Sequence, residues 1–225
     1  MNTPLETILQ EQKNVKVIDS SIDYKDYVAL DLSVAQTDQL NLNLTNANVF
    51  EDFIEAHLSN HNAKVAFGGY QEIRNLYRRS MVFKNEVTDE RNIHIGLDLW
   101  IKAGTPVLAA LDGEIHSFQN NTALGDYGPT IILKHTINGI IFHTLYGHLS
   151  LDSLKDKKEG QLVKKGESIA TLGAPPINGD YAPHLHFQII EDMQDKKGDY
   201  PGVSSKKDLD FYIKNCPNPN LLLKI

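Results

Sequence analysis

From about residue 66 onward the apolar positions fall in short runs: "VAFGGY", "HIGLDLW", "TPVLAAL", "GEIHSF", "TIILKH", "GIIFHTLYGH", "ESIATLG" and "HLHFQII". Gly, Pro, Asn and Asp separate them, and runs of that length rich in β-branched and aromatic residues read as strands. The turn signals "LDGE", "TING" and "KKGE" recur at the spacing of successive antiparallel strands, not of strand–helix–strand units. The second half of the chain is therefore expected to be predominantly β.

Residues 1–65 mix their periods. "PLETILQEQK" suits a short helix, "VKVID" and "YVALDLS" suit strands, and "NANVFEDFIEAHLSN" suits a longer helix. In that helix Val49, Phe53 and Ile54 lie close to one face, Asn46 or Asn48 is placed to cap the start, and the end is expected before Asn62. At the other end, "EDMQDKKGDYPG" reads as a loop and "KKDLDFYIKN" as a short helix, while "LLLKI" is expected to pack back on the body. The expected organisation is a mainly β protein with a smaller α+β N-terminal part. Residues 1–65 form an extension packing on the core, 66–195 an antiparallel β-sheet catalytic domain, and 196–225 a tail packing on the core.

Two runs carry more than a fold signal. In "NIHIGLDLW", Ile93, Ile95, Leu97 and Leu99 alternate with His94, Gly96, Asp98 and Trp100. Strict alternation is the strand period, so His94, Gly96 and Asp98 are expected on one face while the aliphatics enter the core. In "YAPHLHFQII", Leu185, Phe187 and Ile189 face one way, and His184, His186 and Gln188 the other. A third segment is "TLYGHLS", whose His148 follows a strand-like run. Taken singly, a strand histidine opposite aliphatics is usually a surface residue, and that reading is kept for His57, His61, His116, His135 and His143. Taken together, the three segments point to a site. Two imidazoles and a carboxylate are a known way to hold a catalytic Zn²⁺ with a position left open for water or substrate. Such an ion lowers the pKa of the water and polarises a scissile carbonyl. Two further histidines nearby could act as a general base and as an oxyanion donor.

Composition and charge narrow the partners. The 225 residues carry a net charge of −7, which argues against nucleic acid or anionic membrane as the main partner. Cys216 is the one cysteine, so no internal disulfide supports the fold. Charged residues break every apolar run of the first thirty, "MNTPLETILQEQKNVKVIDSSIDYKDYVAL", so a cytoplasmic protein without membrane insertion is expected. There is no H-E-x-x-H helix motif and no G-x-S-x-G elbow.

"HIGLD", "YGHLS" and "HLHF", in this order, resemble the motifs of the LytM and lysostaphin-type zinc metallopeptidases, and the intervening "GTPVLAALDGEI", "DYGPTIILKHTINGIIFHTLYGHLS" and "GQLVKKGESIATLG" resemble the same family. The resemblance covers roughly residues 90 to 190. It implies the family's duplicated-hybrid-motif β fold, an endopeptidase activity using one Zn²⁺ per chain, and a peptide substrate such as peptidoglycan fragments. It also implies that His94, Asp98 and His186 bind the metal and that His148 and His184 are the catalytic histidines. Tyr70, Glu72, Arg74 and Tyr77 of "GGYQEIRNLY", with Tyr181, are candidates for the substrate groove; a Glu72–Arg74 pair that merely positions the strand is the competing reading. Two other functions compete: a non-catalytic LytM-like regulatory module, and a lipoyl- or biotinyl-like carrier suggested by "LAALDGEI" and "GQLVKKGESIATLG".

Overall fold

The computed structural model describes residues 2–40, 43–79 and 90–225. Residues 1 and 41–42 of the expected extension, and 80–89 of the expected catalytic domain, lie outside that description.

The N-terminal part begins with α1 (Pro4–Glu11), closed by a reciprocal cap in which Thr3 accepts from the Glu6 backbone and Glu6 reaches back to Thr3. Strand β1 (Tyr27–Ala29) follows, then α2 (Val34–Leu40), which the sequence reading did not include, and α3 (Ala47–Asn60). Asn46 caps α3 through the backbone of Asn48 and Val49. Its buried residues are Ala47, Phe50 and Ile54 rather than the expected Val49, Phe53 and Ile54, because Phe50 and Ile54 enter the cluster around Trp100 while Phe53 is only partly buried against it. "VKVID" makes a single bridge, Ile18 to Val107, instead of a strand.

The body comprises β2 (Val65–Gly68), β3 (Arg91–His94), β4 (Leu97–Trp100), β5 (Pro106–Leu108), β6 (Gly113–Asn121), β7 (Gly128–Ile137), β8 (Ile140–Gly147), β9 (Leu162–Val163), β10 (Ser168–Thr171), β11 (His184–Ile190) and β12 (Val203–Ser205). An eight-stranded sheet runs β1-β2-β4-β11-β8-β7-β6-β9, with β10-β5 and β12-β3 as separate pairs. All pairings are antiparallel except β1 with β2. The fold is mainly β with an antiparallel core, and α4 (Leu209–Asn215) and α5 (Asn220–Leu223) close the chain. Among the described residues no helix is long and apolar enough to cross a membrane.

Both faces of the central strands are covered. On one, Leu97, Leu99, Ile131, Leu133, Phe142, Tyr146, Leu185, Phe187 and Ile189 pack with Leu5, Ile8 and Leu9 of α1 and Leu222 and Leu223 of α5. On the other, Ile132, Leu145 and Ile190 meet Ile95, Tyr127, Met193, Tyr200 and Cys216. This double cover corrects two expectations of a wet face. His135 is 1% exposed, bonded through Nδ1 to the Asp112 carbonyl (2.9 Å) and through Nε2 to Thr144 (2.8 Å). His143 is also buried, its ring edge-on to that of His116 at 4.8 Å between centroids. His116 is half-buried, and on α3 His57 bonds the Ala29 carbonyl while His61 is exposed.

Candidate metal and catalytic site

"NIHIGLDLW" is not one continuous strand. It breaks at Ile95 and Gly96: β3 pairs with β12, and β4 enters the large sheet between β2 and β11. Ile95 consequently joins the cluster under Tyr127 and Tyr200, away from Leu97 and Leu99. The break carries His94 over the face of β4. There Asp98 is the cross-strand partner of His186 on β11, and Gly147 at the end of β8 is the partner of His186 on its other side. His148 comes next, in the left-handed region at φ 62°, a conformation that costs a non-glycine residue about 1–2 kcal/mol. Its backbone N–H donates to the Tyr127 carbonyl at 2.9 Å. Strand pairing thus brings together all five residues singled out from the sequence.

His94, Asp98 and His186 are buried, and one donor atom from each lies within 4.8 Å of the others, the one such group found among the described residues. Asp98 Oδ1 is 3.3 Å from His94 Nε2 and 3.2 Å from His186 Nδ1, and those two nitrogens are 2.9 Å apart. The remaining ring nitrogens fix the tautomers. His94 Nδ1–H donates to the Gly69 carbonyl at 3.0 Å. His186 Nε2–H donates to Gln188 Oε1 at 3.0 Å, and the Gln188 amide is oriented by donating from Nε2 to the Pro201 carbonyl (3.1 Å) and to Cys216 Sγ (3.2 Å). The two nitrogens that face each other therefore both carry lone pairs, beside a carboxylate oxygen. Three electron-pair donors at this separation, each braced from behind, fit a divalent cation of the zinc type.

The electrostatics agree. Burial alone pushes the Asp98 carboxyl up, but His94 and the Arg74 guanidinium hold it well below the usual carboxylate range. Burial pushes His94 down to about 4, so its imidazole is neutral at pH 7 and available as a ligand.

His184 and His148 stand side by side with ring centroids 4.2 Å apart. Each commits Nδ1 to a carbonyl, His184 to Ala182 (2.7 Å) and His148 to Asn178 (2.8 Å). That leaves Nε2 of each as the lone-pair atom, and His184 Nε2 lies 3.9 Å from Asp98 Oδ1. Burial lowers both pKa values, His148 strongly, so both rings are neutral bases at pH 7. His184 stacks on Trp100, with centroids 5.7 Å apart and planes at 25°.

These groups border a cavity of about 100 Å³, walled also by Phe50, Arg74, Tyr77, Tyr127 and Tyr181. Of the groove candidates, Arg74, Tyr77 and Tyr181 reach it, whereas the Tyr70 hydroxyl is used on the Cys216 carbonyl at 2.7 Å. Glu72 and Arg74 do pair, at 2.5 Å, and Arg74 also bonds Asp98 at 2.6 Å. Sequence reasoning missed Gly69, Gln188 and Tyr127, whose hydroxyl lies 3.4 Å from His186 Nε2. Gln188 alone had a visible signal, since it shares the strand face of His184 and His186.

Comparison with known proteins gives the same region. Peptidase family M23 matches residues 92–198. The chain is 34% identical over 86 residues to lipoprotein NlpD of Yersinia enterocolitica, 38% of this chain and 77% of that protein. It is 34% identical over 108 residues to the peptidoglycan DD-endopeptidase ShyB of Vibrio cholerae, 48% of this chain and 22% of that one. The chain spans about a fifth of the length of the longer curated relatives that it matches. Among solved structures, the catalytic domain of the antimicrobial peptidase lysostaphin from Staphylococcus simulans aligns with 67% of this chain and 92% of its own, at 25% identity and a TM-score of 0.41.

Proposed function

Because the chain belongs to peptidase family M23, we propose that it is a zinc metalloendopeptidase that hydrolyses a peptide or amide bond. In this reading His94, Asp98 and His186 hold one Zn²⁺, and His148 and His184 handle the proton and the developing oxyanion. The observation that carries it is the convergence of three lone-pair atoms whose tautomers are fixed from behind by Gly69 and Gln188. A zinc ion supplies Lewis-acid polarisation of the scissile carbonyl and an acidified water.

The protein's own part follows from the hydrogen bonds. With Nδ1 spent on a carbonyl, His184 can take a proton only at Nε2, and the Asp98 carboxylate beside it favours the imidazolium that results. His148 faces the same cavity with the same tautomer, so once protonated it donates from Nε2 to a developing oxyanion. Trp100 stacked on one ring, and Tyr127 and Tyr181 against the other, hold both planes in place. The substrate class we propose is a peptide of peptidoglycan, the polymer named for the Vibrio cholerae relative.

The test pairs metal analysis with turnover on a panel of crosslinked peptides. About one zinc per chain is expected, with activity lost on chelation and His148→Ala and His184→Ala folded but inactive. Native protein that neither contains zinc nor takes it up on titration would sink the proposal. A non-catalytic module is disfavoured by the presence of all five residues in one cavity. A tight complex with a partner enzyme, unchanged by Asp98→Ala, would restore that alternative.

A further inference from the structure

The family match begins at residue 92, yet two of the three candidate ligands are gripped by residues that precede it. The Gly69 carbonyl accepts from His94, and Arg74 Nη1 donates to Asp98 Oδ2. The stretch 69–74 lies along β3 as a strap. Gln71 N donates to the His94 carbonyl (2.8 Å), His94 N to that of Glu72 (2.9 Å), and Arg74 N to that of Asn92 (2.9 Å). Arg74 is braced in turn: its Nε donates to Glu72 Oε2, while Glu72 Oε1 accepts the backbone N–H of Leu32 at 2.9 Å. Gly69 is at φ +109°, and a side chain there would strike the Arg74 guanidinium and lie 2.7 Å from His94 Nδ1.

One consequence concerns the two oxygens of Asp98. Oδ2 is occupied by Arg74, so Oδ1 alone faces His94 and His186. A carboxylate that offers one oxygen leaves a coordination position for water or substrate, whereas one that closes with both can use it up. The planar guanidinium is suited to this task because its fork spans Glu72 and Asp98 at once, which an ammonium does not do.

We propose that Arg74 is a positioning residue for the metal centre: it holds Asp98 in a one-oxygen presentation, with Glu72 as its brace. The segment ahead of the family match is then a working part of the site. This rests on the metallopeptidase reading above. Two effects oppose each other when Arg74 is removed. Loss of a nearby positive charge favours a dication, while loss of the hydrogen bond frees a buried carboxylate to turn. Asp98 is 1% exposed, so bulk solvent is poorly placed to replace that bond and orientation is expected to win.

The experiment uses the full chain with Arg74→Met and with Arg74→Lys, which keeps the charge but not the fork. Zinc dissociation constants are read by competition with a chromophoric chelator, and circular dichroism of the zinc-free proteins shows which variants hold the wild-type fold. Arg74→Met is expected to weaken zinc binding about 10- to 100-fold, and Arg74→Lys at least about threefold. Arg74→Lys is the milder change and decides alone if the methionine variant does not fold. Zinc binding by a folded variant that is tighter than wild type, or weaker by less than about threefold, overturns the proposal. A wild-type chain that takes up no zinc defeats the metallopeptidase reading itself, a result separate from unchanged binding in the variants.

Discussion

Gly96 sits where the chain crosses from β3 to β4, and replacing it with alanine tests how closely the His186 ring is held. The backbone at Gly96 is not in the left-handed region, so alanine adds no conformational strain there. What it adds is volume in the wrong place: its Cβ would stand 2.5 Å from His186 Nε2 and 3.1 Å from Nδ1, where ordinary contact begins at 3.4 Å. Cε1 of the same ring stands closer still, so the ring must retreat by about 1 Å. It has little room, because Gln188 holds Nε2 and the Tyr127 ring centroid is 5.0 Å away. Overpacking of this kind costs about 1–3 kcal/mol, and a ligand displaced by about 1 Å costs roughly 100-fold in function. Zinc affinity by chelator competition and thermal unfolding of the zinc-free protein are the two readings. The expected result is a folded protein, destabilised by a few degrees, whose zinc binding has dropped by about 100-fold. Wild-type zinc affinity in Gly96→Ala would refute the placement of His186 as a ligand against this glycine.

Other outcomes follow from groups outside the site. His135 is pushed down to about 4 by burial, from an ordinary value near 6.5, so the unfolded chain binds the extra proton first as pH falls. Its contribution is complete above about pH 6.5 and is lost towards pH 4, about 3 kcal/mol in all; urea midpoints across that range should shift accordingly, and less in His135→Gln. The Cys216 thiol is pushed up to about 12 by burial, so iodoacetamide at pH 8 should leave the native protein unmodified and label it fully in urea, as read by intact mass. Deleting residues 1–60 removes Leu5, Ile8, Leu9, Val15, Val17, Ile18 and Ile22 from the main core, worth about 1.5–3 kcal/mol each, so the truncated chain should fail to fold, as read by circular dichroism.

The sequence carried the site better than it carried the site's supports. His94, Asp98, His184 and His186 were visible because period-two alternation assigns each to a face from local residues alone, and pairing of β4 with β11 then puts those faces together, while His148 was legible only as the residue that follows the run of β8. The grip of Arg74 on Asp98 and of Gln188 on His186 was hidden, since each depends on which distant segment is laid against the strand. The same cause explains the misplaced histidines: alternation assigns His135 and His143 to opposite faces, and only the assembled body shows that both faces of their strands are covered. The break at Ile95 and Gly96 was read as unbroken alternation because nothing local shows that β3 and β4 join different sheets.

That division of the site between β3–β4 and β11 has a consequence in time. His94 and His186 are 92 residues apart. At a synthesis rate of about 5–20 residues per second, roughly 5–20 seconds separate the appearance of the first from that of the last. Throughout that interval the emerging chain carries His94 and Asp98 with no strand to set His186 beside them. In the reading proposed above, a zinc ion has all three residues around it only once β11 has docked, unlike the small zinc domains whose folding the ion itself drives.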